Sequence, residues 1–63
     1  DELTDQYEID NNGVNIIINE YSIENKDRKR YIAEFSYRDV NFQLKGVMEK
    51  AEFDKIIKNL DFL

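Results

Sequence analysis

The sequence predicts an α+β domain: an antiparallel β-meander of three or four strands with one C-terminal α-helix packed on one face of the sheet. Apolar and polar residues alternate through residues 31–37 and 40–48, which is typical of strands with one buried face. After Met48 the apolar spacing changes to that of a helix. Asn12-Gly13 is the strongest turn signal, because both residues tolerate positive φ. These three observations place a helix after a series of hairpins.

The hairpin of residues 31–48 has a well-defined buried face but an open register. A two-residue loop at Arg38-Asp39 sets Phe35 opposite Phe42, whereas a four-residue loop sets Phe35 opposite Leu44. Both registers keep the large side chains on one face, because side chains repeat every second residue along a strand. The sequence therefore predicts the face and leaves the two registers as alternatives.

The helix is predicted over residues 49–60. Its apolar stripe has the spacing i, i+3, i+4, i+7 and consists of Phe53, Ile56, Ile57 and Leu60. We expect this stripe to pack against the sheet face that carries Phe35, Phe42 and Leu44. Leu63 continues the stripe, so the helix is expected to run nearly to the last residue. With Glu49 as the cap, Met48 and Phe53 form a hydrophobic staple.

The first half of the chain carries weaker signals. Residues 1–6 are polar apart from Leu3 and are expected to be a disordered or linker-like lead-in, followed by a single small domain over residues 7–63. Residues 7–9 alternate as a short strand, and the sequence leaves open whether it joins the sheet. Residues 10–13 are read as a hairpin turn rather than a calcium loop, because Val14 breaks the alternating pattern of oxygen ligands.

A second apolar surface is predicted on the side of the sheet away from the helix. Residues 14–23 form a strand with apolar side chains on both faces, as in a strand covered on two sides. The candidate interaction surface consists of Ile17, Tyr21, Ile32 and Val47. It is a docking surface for a partner protein, for the rest of the parent chain or for a second copy. The alternative interpretation is scattered surface hydrophobic residues, which are normal in soluble proteins.

The composition argues against catalysis, metal binding and cofactors. The 63 residues include no cysteine and no histidine, which removes most zinc sites and the common nucleophile–base pairs. Carboxylates are plentiful, but the pattern places them in loops, at the first residues and on the exposed side of the helix. We therefore expect no catalytic residue, no cofactor and no metal.

Charge and hydropathy limit the classes of partner that the chain can bind. A net charge of −5 argues against nucleic acid, because phosphate binding needs a basic surface. Residues 1–25 hold seven acidic residues and no basic one, while four bases crowd into residues 26–30. No apolar run reaches membrane-spanning length, so direct membrane insertion is not expected. Because the chain starts at Asp1, we expect it to be a processed or excised piece of a longer protein.

Residues 7–60 resemble the bacterial domain of unknown function 4367 family. The resemblance rests on Gly13-Val14, on the strand pair of residues 35–46 and on the closing helix of residues 52–60. Phe35 stands where that family often has tryptophan, and Phe42 where it often has tyrosine. Glu49 departs from the family's small polar cap. The resemblance implies an uncharacterised extracytoplasmic domain of membrane-anchored proteins, and it transfers no catalytic or binding residue.

Three functions are compatible with these observations. The leading hypothesis is a non-catalytic interaction or sensing module of a membrane-anchored cell-envelope protein, which implies an extracytoplasmic location. The residues alone leave a cytoplasmic location open. The second is a small acidic inhibitor or immunity-type protein that binds a basic partner through residues 1–25. The third is a structural self-association domain, a homo-oligomer that pairs through an open sheet edge.

Overall fold

The computed structural model describes residues 1–62, and the chain forms an antiparallel sheet crossed by one helix. In chain order the elements are β1 (Glu2–Asn11), β2 (Val14–Ser22), β3 (Lys29–Tyr37), β4 (Val40–Met48) and α1 (Lys50–Lys58). The strands lie side by side in the order β1-β2-β3-β4, and each neighbouring pair is antiparallel. The predicted α+β meander with a C-terminal helix on one face is confirmed.

Both hairpin turns have two residues with positive φ. Asn12 and Gly13 have φ of 52° and 89°, as the predicted primed turn requires. Arg38 and Asp39 adopt φ of 51° and 64° without a glycine. This second turn selects the two-residue loop, so Phe35 lies opposite Phe42 and the alternative register is absent.

The structure differs from the linker-like lead-in expected at residues 1–6, because β1 begins at Glu2. These residues form a strand because their backbone groups hydrogen-bond to β2, which does not require apolar side chains. The polar sequence therefore gives no sign of the strand. The register shifts between Leu3 and Asp5, which leaves Thr4 as the extra residue of a bulge. Residues 7–9 do join the sheet, with Tyr7 opposite Ile18 and Ile9 opposite Ile16.

The core lies between α1 and the middle of the sheet. It consists of Ile16, Ile18, Tyr31, Ala33, Phe53 and Ile57. The rings of Phe53 and Tyr31 stack with their centroids 5.2 Å apart. Gly46 on β4 lies beside this stack: a Cβ there would be in ordinary contact with the Phe53 ring at 3.6 Å and would crowd only the end of the Met48 side chain. The helix therefore packs against the predicted face of the sheet.

Two residues of the expected contact lie outside it. Ile56 is 47% exposed and Phe42 is 43% exposed, whereas Phe53 and Ile57 are buried. The helix has only nine residues, and the two buried side chains at i and i+4 take the side that faces the sheet, so Ile56 points away. Phe35 and Leu44 pack at the margin of the core.

The helix is shorter than predicted and is held at both ends. Glu49 is the N-cap, and its backbone N–H donates to the Glu52 carboxylate at 3.3 Å. At the other end, the side-chain amide of Asn11 donates to the carbonyl oxygens of Ile57 at 3.0 Å and Leu60 at 2.9 Å. The helix ends at Lys58, and the expectation for Leu63 lies outside the described residues.

Candidate interaction surfaces

The register of the sheet brings the four predicted residues onto one face, opposite the helix. Tyr21 pairs with Arg30, and Arg30 pairs with Val47, so the three form one row across β2, β3 and β4. Ile32 lies in the next row, and Ile17 in the row after that, opposite Glu34. Ile32 is thus the diagonal neighbour of the other three apolar residues, at a spacing that long side chains bridge.

These four side chains are accessible to different degrees. Ile17 is 39% exposed and Val47 is 47% exposed, while Tyr21 and Ile32 are half-buried among their neighbours. Among the described residues, α1 packs on the opposite face only, so no helix covers this one. We call the residues Ile17, Tyr21, Ile32 and Val47 the open-face patch.

Charge around the open-face patch is divided between its two ends. Glu8 and Asp10 of β1 stand opposite Ile17 and Asn15, and Glu34 lies beside Ile17 on β3. Arg30 lies in the row at the other end, where it also forms an ion pair with Asp1, and Lys45 lies beside Ile32 in the middle row. The patch therefore has an acidic end near the two hairpin turns and a mixed, more basic end near the β2–β3 loop.

On the helix side, Glu20 is the centre of a buried polar network. This carboxylate is 8% exposed and accepts hydrogen bonds from the hydroxyls of Thr4 at 2.7 Å and Tyr31 at 3.0 Å. The Lys29 ammonium pairs with it at 3.2 Å. The Thr4 hydrogen bond, followed by those from Lys29 and Tyr31, holds the pKa of Glu20 below its usual value, although burial opposes the shift. Glu20 on β2 is thus hydrogen-bonded to Thr4 of β1 and to Lys29 and Tyr31 of β3.

Tyr7 forms a second link between β1 and the helix. Its hydroxyl donates to the Asp54 carboxylate at 2.6 Å, and the Lys50 ammonium lies 4.5 Å from the centre of its ring. Burial, reinforced by this hydrogen bond and by the charge of Asp54, raises the pKa of Tyr7 far above its usual value. Tyr7 therefore stays neutral and acts as a hydrogen-bond donor.

A cleft between the two hairpins was not predicted. The β2–β3 pairing ends at Ile17 and Glu34, although both strands continue toward their turns. The strands separate there and border a cavity of about 870 Å³ lined in part by Asn15, Ser36 and Phe42. Both strands keep their alternation through this region, so no residue pattern marks the point at which pairing stops.

An aromatic cluster lies beyond the end of the helix, on the same side of the sheet. Phe35 stacks on Phe42 with ring centroids 5.2 Å apart and meets Phe62 edge to face at 5.3 Å. Phe62 also contacts the Tyr37 ring at 5.0 Å. The sequence pattern predicts no role for Phe62, and its aromatic character close to the helix end is the one signal in the sequence for this packing.

Residues 1–62 show neither a cluster of metal ligands nor a membrane-spanning helix. Within this range, no three or more histidine, cysteine or acidic side chains come together as a metal site would require. The same residues include no helix that is both long and apolar enough to cross a bilayer.

Comparison of the chain with protein-family models, with curated protein sequences and with solved structures gave no match in any of the three. The resemblance of residues 7–60 to the domain of unknown function 4367 family therefore stays a prediction from the sequence.

Proposed function

We propose that this domain is a non-catalytic protein-interaction module whose binding surface is the open-face patch. The observation that carries the proposal is the register, which gathers Ile17, Tyr21 and Val47 around Ile32 on the face opposite the helix. A sheet face with grouped, accessible apolar side chains and a polar margin has the anatomy of a protein interface. The most buried carboxylate, Glu20, is occupied by three hydrogen-bond donors, which supports a structural rather than a catalytic role.

The charge division indicates what kind of partner fits. Glu8, Asp10 and Glu34 form an acidic margin beside Ile17, and no lysine or arginine precedes residue 26. A partner that presents apolar side chains flanked by lysine or arginine would bury the patch and complement this margin. Such complementarity speeds association and suppresses wrong partners more than it raises affinity.

The cell-envelope setting is part of the same proposal and is supported by the family resemblance alone. It implies that the parent protein is membrane-anchored and that the domain faces the outside. Protease treatment of intact cells that carry the tagged parent protein tests this. Digestion of the domain in intact cells supports the setting, and protection until the cells are lysed contradicts it.

The binding surface is tested by site-specific photo-crosslinking in the parent protein. A photoreactive residue is placed at Ile32 or Val47, and a matched one at Ile56, which is 47% exposed on the helix. We expect one protein to be crosslinked from the first two positions and not from the third. Equal crosslinking from all three positions, or none, contradicts the proposal.

Affinity measurements with the purified crosslinked protein complete the test. Ile32→Arg places a charge at the centre of the patch and should weaken binding by about tenfold or more, the equivalent of ~1.4 kcal/mol. Ile56→Arg makes the same change away from the patch and should leave the Kd unchanged. Unaltered binding by Ile32→Arg, with its circular dichroism spectrum intact, would refute the assignment.

A second candidate function is an acidic inhibitor of a basic protein. The observation that favours it is that residues 1–25, which contain the β1–β2 hairpin, hold seven acids and no base. In this case Glu8→Lys and Asp10→Lys would weaken binding more than Ile32→Arg does, and the affinity would fall steeply with salt. The same titrations, repeated at two salt concentrations, separate the two functions.

A further inference from the structure

The two edges of the sheet differ in how they are protected against pairing with another strand. Edge strand β1 carries a bulge at Thr4 and four acidic residues. Bulges and charges are the usual devices that keep an edge from associating. Edge strand β4 pairs with β3 over its whole length without a shift of register, and its only charged residue is Lys45. The edge at β4 is therefore regular, nine residues long and almost uncharged.

The backbone of β4 presents hydrogen-bonding groups outward at every second residue. The two-residue turn makes Tyr37 and Val40 a hydrogen-bonded pair, so even-numbered residues of β4 bond to β3. The N–H and C=O groups of the odd-numbered residues, Asn41 to Val47, then point away from the sheet. Three apolar side chains along this strand are also about half exposed: Val40 at 52%, Val47 at 47% and Phe42 at 43%.

We propose that two copies of this chain pair antiparallel through β4, about a two-fold axis at Leu44, to form one continuous eight-stranded sheet. Leu44 is the middle residue of β4, so this is the only two-fold register in which all nine residues have a partner. Dimers with two-fold symmetry, whose interfaces are isologous, are the commonest soluble homo-oligomers. In this register the outward groups of residues 41, 43, 45 and 47 are hydrogen-bonded, and Leu44 faces its own copy across the axis.

The side chains that meet in this register are compatible. Lys45 lies directly opposite the partner subunit's Gln43, and the two lysines of the dimer are only diagonal neighbours across the axis. Val40 faces the partner subunit's Met48, and Phe42 faces the partner subunit's half-buried Gly46, which has no side chain to oppose the ring. These contacts cover Val40 and Phe42, two of the three exposed apolar side chains of the strand.

The helix leaves the β4 edge free for this contact. α1 begins directly after β4 but runs toward β1, where Asn11 holds its end. The residues after the helix turn back over Phe35 and Tyr37 of β3, and they border a groove whose other wall includes Phe42 and Leu44 of β4. The self-complementary register and the absence of opposed charges favour a second copy over an unrelated peptide as the occupant.

Disulfide trapping tests the register directly, because the chain has no cysteine of its own. Leu44→Cys places two thiols at the axis, where a non-hydrogen-bonded pair has Cα atoms about 4.5 Å apart, within disulfide range. We expect mild oxidation to convert this variant to a covalent dimer. Phe42→Cys is the matched control, because its thiol faces the partner subunit's Gly46 and should remain monomeric under the same conditions. Equal trapping of both variants, or of neither, would overturn the register.

The second test measures association without cysteine. Gln43→Pro removes an outward N–H that β3 does not use, so the domain should fold while the dimer is lost. Glu8→Pro makes the matched change on the β1 edge and should remain dimeric. Sedimentation equilibrium over a concentration series measures the oligomeric state of both variants. If Gln43→Pro does not fold, hydrogen exchange of the Gln43 and Lys45 amides is measured in the unmodified chain instead. A strict monomer, an open polymer or amides without concentration-dependent protection would each refute the proposal.

Discussion

Asn11→Ala tests how the helix is held on the sheet. The Asn11 side chain is 6% exposed and donates from one amide nitrogen to the carbonyl oxygens of Ile57 and Leu60, at 3.0 and 2.9 Å. Carbonyls at the end of a helix lack the usual intrahelical partner. The Ile57 carbonyl also accepts from the Leu60 N–H at 3.3 Å, so Asn11 gives it a second hydrogen bond and supplies one to the Leu60 carbonyl. The residue comes from the end of β1, and the contact therefore joins the first strand to the last element.

The expected loss follows from the number of hydrogen bonds. Each contributes about 0.5–1.5 kcal/mol net, so losing both lowers the free energy of unfolding by about 2 kcal/mol. A domain of this size is stable by only ~3–9 kcal/mol. With a urea m-value of ~1 kcal/mol/M, the midpoint of unfolding should fall by about 2 M.

Equilibrium urea unfolding, followed by circular dichroism at pH 7, measures the effect. Asn15→Ala is the matched control, because Asn15 is exposed on the open face and its loss should change the midpoint little. Asn11→Asp should cost more than Asn11→Ala at pH 7, since a carboxylate would face two carbonyls at the negative end of the helix. That variant should regain stability as the pH falls and the new carboxyl is protonated. A midpoint for Asn11→Ala within error of the Asn15→Ala value would refute the reasoning.

Three further predictions concern the buried network and the second turn. Because hydrogen bonds lower the pKa of Glu20 in the folded chain, its stabilisation is present above the usual value of 4.5 and is lost as the pH falls through the lowered pKa. Glu20→Gln should therefore lower stability at pH 7 and flatten the acid limb of a plot of stability against pH. Burial, with the hydrogen bond to Glu20, raises the pKa of Tyr31 to about 12. The stability it gives is complete below pH 10 and declines as the pH rises through about 12, so Tyr31→Phe should reduce the alkaline loss seen in thermal unfolding. Asp39→Gly should raise the free energy of unfolding by about 1 kcal/mol and Tm by about 4–8 °C, because Asp39 has a φ of 64° that glycine adopts without strain; an unchanged or lower Tm would contradict this.

The features predictable from the sequence were those with a local cause. Alternation over residues 31–48 predicted the β3–β4 hairpin, and positive φ at Asn12 and Gly13 followed from residue type. The change of period after Met48 predicted a helix that starts at Glu49. In each case the signal depends on neighbours within a few residues, where side-chain period and turn chemistry decide the backbone.

The features that escaped prediction depend on residues far apart in the chain. Asn11 contacts the helix end across 46 residues, and Thr4 reaches Glu20 across 16. β1 is extended because β2 offers it a partner, which the polar composition of residues 1–6 does not reveal. The exposure of Ile56 was missed for a related reason, since the direction in which a nine-residue helix crosses the sheet decides which half of its stripe is buried.

The two proposed surfaces are geometrically compatible. The open-face patch lies on one face of the sheet, whereas self-pairing involves the backbone groups of edge strand β4. A two-fold axis perpendicular to the sheet keeps both helices on one side of the dimer and both patches on the other. Only Val47 belongs to both surfaces. Its side chain lies on the open face, whereas its backbone N–H and C=O groups lie at the edge of the sheet. A dimer would therefore present two patches side by side, and a partner with two binding segments would be held at the millimolar effective concentrations typical of short tethers. The dimer would therefore bind such a partner more tightly than a single domain does, without any new contact at each patch.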